Sequence, residues 1–239
     1  MSLLPKIYGF NKASEIGIDV FAPSIFLGGC NFRCPYCMNA KLVKGEIESE
    51  IDLNIVKQYV QEEKSEWLMI SGGEPTCAPL QNLIALLDEI RSWGCKIGMS
   101  TNGSHYSVLY GVISKLNYVA LDIKSPNREG YEKLGCNNND YADILTSRQL
   151  LLSAKDIRNN FDYEIRTTLY PALINNDSLM EIGLKFINKE DKWILQQFRH
   201  SKNMLDLSCK NIDPYSDDVI NTMIETAKKY CNNVALRYV

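Results

Sequence analysis

The segment WLMISGGEPTCAPLQNLIALLDEI, residues 67–90, reads as one complete strand-to-helix unit. Residues 67–71 form a short apolar run of the kind buried on both faces of a parallel sheet. Two glycines and Pro75 break that run. Pro79 then suits a first helical position, and Leu80, Leu83, Ile84, Leu87 and Ile90 follow at helical spacing as one apolar stripe. Working outward, six more apolar segments read as strands: residues 24–28, 96–100, 118–123, 163–169, 193–198 and 234–238. Amphipathic stretches separate them. Asp52 can cap a helix that buries Ile55, Val56, Tyr59 and Val60. Ser178 precedes Leu179, Ile182, Phe186 and Ile187, and Ser216 precedes Val219, Ile220, Met223, Ile224 and Ala227. Parallel strands joined by helices form either an open doubly wound sheet or a barrel. Six or seven units are too few for a closed eightfold barrel. The predicted fold is therefore α/β: an open partial (β/α)6 barrel, one domain over residues 1–239. Its core motifs span about 20–200, with a carboxy-terminal helix and strand over 214–239.

Composition narrows the function classes. The 239 residues are 45% hydrophobic and 23% charged, which excludes disorder. A net charge of −3 argues against a general binder of nucleic acid or anionic membranes. The first residues show no charged-then-apolar signal pattern, and the longest uncharged run, residues 97–114, carries Ser, Thr, Asn and His. A soluble, cytoplasmic protein without membrane or nucleic-acid partners is predicted. Polar residues gather where the strands end: Gly28–Cys30, Ser71–Thr76, Ser100–Gly103, Asp122 with Lys124, Arg166, and Gln196 with Gln197. In parallel α/β folds ligands bind at the carboxyl ends of strands, so these residues predict one large site.

Of the eight cysteines, Cys30, Cys34 and Cys37 crowd into one short loop, while Cys77, Cys95, Cys136, Cys209 and Cys231 stand alone. Thiolate clusters select zinc or iron–sulfur. A structural zinc site wants four ligands, often as two Cys-x2-Cys pairs, and the second pair is missing. Ferredoxin-type clusters want a fourth cysteine, which this loop also lacks. Three ligands on a cubane leave one iron open for a substrate or cofactor. A zinc site completed by a distant Cys or His is the alternative.

Cys-x3-Cys-x2-Cys with an aromatic residue before the last cysteine, here GGCNFRCPYCMN, resembles the signature of radical S-adenosylmethionine (radical SAM) enzymes. SGGEPT is similar to that family's Gly-Gly-Glu motif, and KIGMSTNGS, YVALDIKSP, FDYEIRTTLYP and WILQQF resemble later strands of glycyl-radical-enzyme activating enzymes. The resemblance implies one [4Fe–4S] cluster on Cys30, Cys34 and Cys37. It also implies S-adenosylmethionine, chelated at the open iron and cleaved reductively to a 5′-deoxyadenosyl radical. The cofactor carries that chemistry, while the protein positions and shields it. Implied cofactor contacts are Tyr36, Cys37, Met38, Gly72, Gly73, Glu74, Asn102, Asp122, Ile123, Lys124 and Arg166. Tyr36 and Met38 would flank the adenine, the glycine turn would approach the methionine end, and Asp122 and Lys124, on one side of a strand, would suit ribose hydroxyls and the carboxylate. Arg166 interrupts an apolar strand and demands an anion: the cofactor carboxylate, Glu74 or Asp122. Ser100 stands where the activating enzymes usually carry an acidic residue.

The implied function is hydrogen abstraction from a glycine of a large glycyl-radical enzyme, with an electron donor such as flavodoxin or ferredoxin. The runner-up is a radical SAM enzyme acting on a small molecule, such as a 7-carboxy-7-deazaguanine synthase, which uses magnesium. A non-enzymatic electron carrier is a third class. Two polar segments, residues 125–140 and 199–216, are expected to emerge at the rim beside the cysteine loop.

Overall fold

The computed structural model describes residues 4–15 and 21–238. Among them, eight strands form one sheet in the order β1-β2-β3-β4-β5-β6-β7-β8. The strands are β1 (Ile7–Glu15), β2 (Phe21–Leu27), β3 (Trp67–Gly72), β4 (Lys96–Thr101), β5 (Tyr118–Asp122), β6 (Asp162–Leu169), β7 (Lys192–Gln197) and β8 (Asn233–Tyr238). Every pairing from β2 to β8 is parallel. This sequential order, with a helix crossing between most neighbours, is that of an open (β/α) barrel rather than a doubly wound sheet, whose order reverses. The predicted architecture, a single α/β domain, is the one observed.

All seven predicted strands are present. β1, which was not predicted, adds an antiparallel edge with irregular register on β2. Its sequence, IYGFNKASE, mixes Gly9, Asn11 and Lys12 into the run, because an edge strand needs only one apolar partner and tolerates polar residues.

The helices are α1 (Ala40–Lys44), α2 (Leu53–Glu62), α3 (Leu80–Ser92), α4 (Tyr106–Val112), α5 (Arg128–Glu132), α6 (Asn138–Ile157), α7 (Asn176–Phe186) and α8 (Asp217–Lys228). Asp52 caps α2 by accepting the Asn54 amide at 2.9 Å. Pro79 sits one residue ahead of α3 as its N-cap. Ser178 is not a cap. Asn175 takes that place and accepts both the amide and the hydroxyl of Ser178, each at 2.9 Å, so α7 starts earlier than the apolar stripe suggests. α6 was hidden in sequence because its inner face carries Ser147 and Arg148, both buried. Ser147 bonds the Gly103 carbonyl, and Arg148 bonds Asp191 and the Phe186 carbonyl, the latter two at 2.6 Å. A capping box between Asn137 and Asp140 starts it.

Candidate functional site

The cysteine loop leaves β2 at Gly28 and is held by backbone bonds from several elements. Gly29 N–H donates to Leu42 of α1 at 3.2 Å, and Arg33 N–H to Leu134 at 2.7 Å. Cys34-Pro35-Tyr36-Cys37 is a turn closed by Cys37 N–H on the Cys34 carbonyl at 3.0 Å, with proline at the position where its fixed φ fits. The spacing thus becomes geometry: two thiols at the ends of one turn, and Cys30 just before it.

The Gly-Gly-Glu turn packs on that loop backbone to backbone. Gly73 N–H donates to Leu27 at 2.9 Å, and Glu74 N–H to Gly29 at 2.8 Å. A Cβ on Gly73 would lie 1.8 Å from the Gly29 carbonyl oxygen, and Gly72 has φ +111°. Glycine is required at both places. Glu74 is buried and ties β3 to β4. Its Oε1 accepts from the Thr76 amide and hydroxyl and from the Thr101 hydroxyl, and its Oε2 accepts from the Asn102 amide at 2.6 Å. Asn102 in turn donates to Asn31 of the cysteine loop at 3.1 Å.

On the opposite wall, Asp122 sits between two cations. Arg166 Nε donates to its Oδ1 at 2.8 Å and Lys124 Nζ to its Oδ2 at 3.1 Å. Burial raises the Asp122 pKa, but the two cations outweigh it and hold the carboxyl below its ordinary range. The ladder continues inward. Glu164, fully buried, lies 3.9 Å from Arg166 and takes a bidentate pair from Arg237 of β8 at 2.9 and 3.0 Å.

One cavity of about 320 Å³ opens among these groups at the carboxyl ends of the strands, within the range of ligand sites. Its walls include Cys30, Cys34, Tyr36, Cys37 and Met38 from the cysteine loop, then Gly72, Gly73, Glu74 and Asn102, then Asp122, Lys124 and Arg166. Ile123 is the predicted residue that does not join them: its side chain is buried in the core and its amide is spent on the Arg166 carbonyl at 2.8 Å. Thr168, Phe32 and Asn39 line the cavity without having been predicted. Thr168 lies two residues beyond Arg166 on the same face of β6, so strand alternation was the signal for it. Cys77, just past the glycine turn, is exposed, with its thiol 3.8 Å from Asn31 Oδ1.

Burial pushes the Cys30 thiol up to about 12 and the Cys34 thiol up to about 11. The Phe32 amide opposes this at Cys30, with its nitrogen 3.4 Å from the sulfur. Both sulfurs are thus neutral thiols near pH 7 until a cation compensates the thiolate. Among the described residues, no group of three or more His, Cys, Asp or Glu could hold a single metal ion. No helix among them is long and apolar enough to cross a membrane.

Compared with known families, residues 24–162, more than half of the chain, match the profile of the radical SAM superfamily. The chain belongs to that superfamily. Membership implies a [4Fe–4S] cluster and S-adenosylmethionine. Two relatives from Methanocaldococcus jannaschii carry the provisional name of glycyl-radical enzyme activating enzyme. One is 29% identical over 221 residues, covering 89% of this chain and 87% of its own, and the other 27% identical over 213 residues, covering 87% and 77%. A 7-carboxy-7-deazaguanine synthase of Methanopyrus kandleri is 27% identical over 149 residues, covering 53% of this chain and 57% of its own. Among solved structures, Streptococcus suis SuiB bound to S-adenosylmethionine shares the radical SAM fold, with a TM-score of 0.62 at 13% identity over 87% of this chain and 48% of that one.

Proposed function

We propose that this protein is a glycyl-radical enzyme activating enzyme whose [4Fe–4S] cluster is held by Cys30, Cys34 and Cys37. The observation that carries this reading is the placement of the three thiols in the wall of the same cavity as the Lys124–Asp122–Arg166 group. The donor set fits the cluster. Three soft ligands on one loop leave a fourth position open. The bound cluster supplies the electron that cleaves S-adenosylmethionine reductively. The protein's own residues bind, orient and exclude water.

Lys124 and Arg166 offer cationic donors to the cofactor carboxylate. Nε of Arg166 is committed to Asp122, and among the described residues its two Nη atoms have no hydrogen-bond acceptor. Asp122 accepts from a ribose hydroxyl in this reading. Gly72 and Gly73 let backbone come within van der Waals reach of the methionine end, and Tyr36 and Met38 flank the adenine. Glu74 and Asn102 hold the walls together, since their bonds run chiefly to other protein groups. The names of the two archaeal relatives support a glycyl-radical enzyme as partner, and the reading includes a cytoplasmic setting with flavodoxin or ferredoxin as reductant. The shorter match to a 7-carboxy-7-deazaguanine synthase supports the alternative, a small-molecule substrate.

The test begins with anaerobic reconstitution. The parent protein should bind one [4Fe–4S] cluster and release 5′-deoxyadenosine and methionine from S-adenosylmethionine when reduced by dithionite. Cys30→Ala, Cys34→Ala and Cys37→Ala should each lose the normal cluster. Incubation with a glycyl-radical enzyme from the same cell should then give a glycine-centred doublet in electron paramagnetic resonance. Turnover of a small molecule, with no doublet from any such enzyme, would give the case to the alternative.

A further inference from the structure

The segment between β7 and α8, residues 199–216, is polar in sequence and has the look of a solvated connection. It is instead bound to the cysteine loop. Leu205 N–H donates to the Cys37 carbonyl at 2.9 Å, and Asp206 N–H to the Pro35 carbonyl at 3.0 Å. These are the carbonyls on either side of Tyr36, within the turn that Cys37 N–H closes on Cys34. The gripping residues are themselves anchored. Met204 and Cys209 are buried on either side of them. The Asp206 carboxylate accepts the Ser208 amide at 2.8 Å and starts the short 3-10 turn Leu207–Asn211.

A second contact reaches the same turn from within the core. The Cys209 sulfur lies 3.2 Å from the Tyr170 hydroxyl. The Tyr170 ring packs on that of Tyr36 at 4.7 Å between centroids and on that of Phe198 at 5.1 Å. The turn is therefore gripped through its backbone by residues 205 and 206 and backed through Tyr36 by a ring tied to residue 209. Two peptide planes fixed from outside fix the direction in which the Cys37 side chain leaves the backbone. Hydrogen bonds of this outer kind orient metal ligands and tune what they bind.

We propose that residues 204–209 form a strap that sets the orientation of the Cys34–Cys37 turn, which makes Leu205 and Asp206 positioning residues for the metal centre. The proposal rests on the reading that Cys30, Cys34 and Cys37 are the cluster ligands. The strap acts through main-chain donors, so proline, which lacks the N–H, is the informative substitution, and alanine at the same position keeps the donor.

The experiment compares Leu205→Pro, Leu205→Ala, Asp206→Pro and Asp206→Ala in the full-length, anaerobically reconstituted protein. Iron content, the rate of iron release to bathophenanthroline disulfonate and the electron paramagnetic resonance spectrum of the reduced cluster are read for each. Leu205→Pro and Asp206→Pro should take up parent levels of iron, release it about tenfold faster and show a shifted spectrum. Leu205→Ala should match the parent in both readouts. Parent-like release and spectra in both proline variants, with parent-like circular dichroism, would overturn the strap. Proline also restricts the preceding residue. If the proline variants fail to fold, Asp206→Ala decides, because it keeps the N–H but removes the cap that shapes the strap: faster release supports the proposal and parent-like release overturns it. The Cys→Ala variants separate the two ideas. A normal cluster in any of them overturns the ligand reading and the strap with it, whereas loss in all three beside parent-like proline variants overturns the strap alone.

Discussion

At the residue scale, Gly73 shows why the glycine turn tolerates no side chain. A Cβ there would strike the Gly29 carbonyl at 1.8 Å, next to Cys30. The contact predicts that Gly73→Ala displaces the cysteine loop itself. We expect about 1–3 kcal/mol of lost stability and a lower cluster content after reconstitution, measured by thermal unfolding and iron analysis. Glu74→Gln is a subtler probe. The carboxylate accepts from four donors, whereas an amide turns one of its ends into a donor. The expected cost is about 1–3 kcal/mol with S-adenosylmethionine affinity reduced, checked by unfolding and by titration calorimetry under anaerobic conditions. That the cysteines, the glycine turn, Asp122, Lys124 and Arg166 would line one cavity was legible in sequence, because all of them fall at or just past strand carboxyl ends. The internal commitments of Glu74 and Asn102 were not, since a hydrogen bond across 28 or 71 positions leaves no local trace.

At the element scale, β6 and β8 are joined inside the barrel by Glu164 and Arg237. Each alternates inward along its strand, and removing one partner leaves the other charge buried. Arg237→Ala should therefore cost about 3–5 kcal/mol, while the double variant Glu164→Gln with Arg237→Met should recover much of that loss. A double-mutant cycle by chemical unfolding measures the difference. Outside the barrel, Asp162 joins α6 to β7 through Lys155 at 2.7 Å and Lys192 at 2.8 Å. Burial raises its pKa, but the two lysines outweigh this and hold it below its ordinary value of 3.8. A carboxyl depressed in the folded protein stabilises above its unfolded pKa and loses that contribution as pH falls through the folded one. Asp162→Asn should thus melt slightly below the parent at pH 6, by about 1 kcal/mol or less given the exposure of the group. The gap should close as pH drops below about 4. Seven of the strands were readable because each is a compact apolar run between turn residues. β1 and α6 were not: one is an edge and the other carries Arg148 on its buried face, so neither shows a clean period.

At the scale of the whole molecule, the sheet gathers groups from β2 to β6 around one cavity, so ligand binding and global stability are linked. Saturating S-adenosylmethionine at about 100 times its Kd should stabilise the cluster-loaded protein by about 2.7 kcal/mol. Arg166→Ala should show a much smaller gain at the same concentration. Differential scanning calorimetry under anaerobic conditions checks both, and an equal gain in the two proteins would remove Arg166 from the binding group.

The charge ladder also has a bearing on synthesis. Lys124, Asp122, Glu164 and Arg166 all leave the ribosome before β8 does, yet Glu164 depends on Arg237, 73 positions later, for its bidentate partner. A nascent chain stalled ahead of β8 therefore leaves this buried acid to Tyr118 and to Arg166 at 3.9 Å, without its bidentate pair. Chains that end ahead of β8 should therefore be cleaved faster than the full-length protein in limited proteolysis, because their buried glutamate lacks its strongest partner.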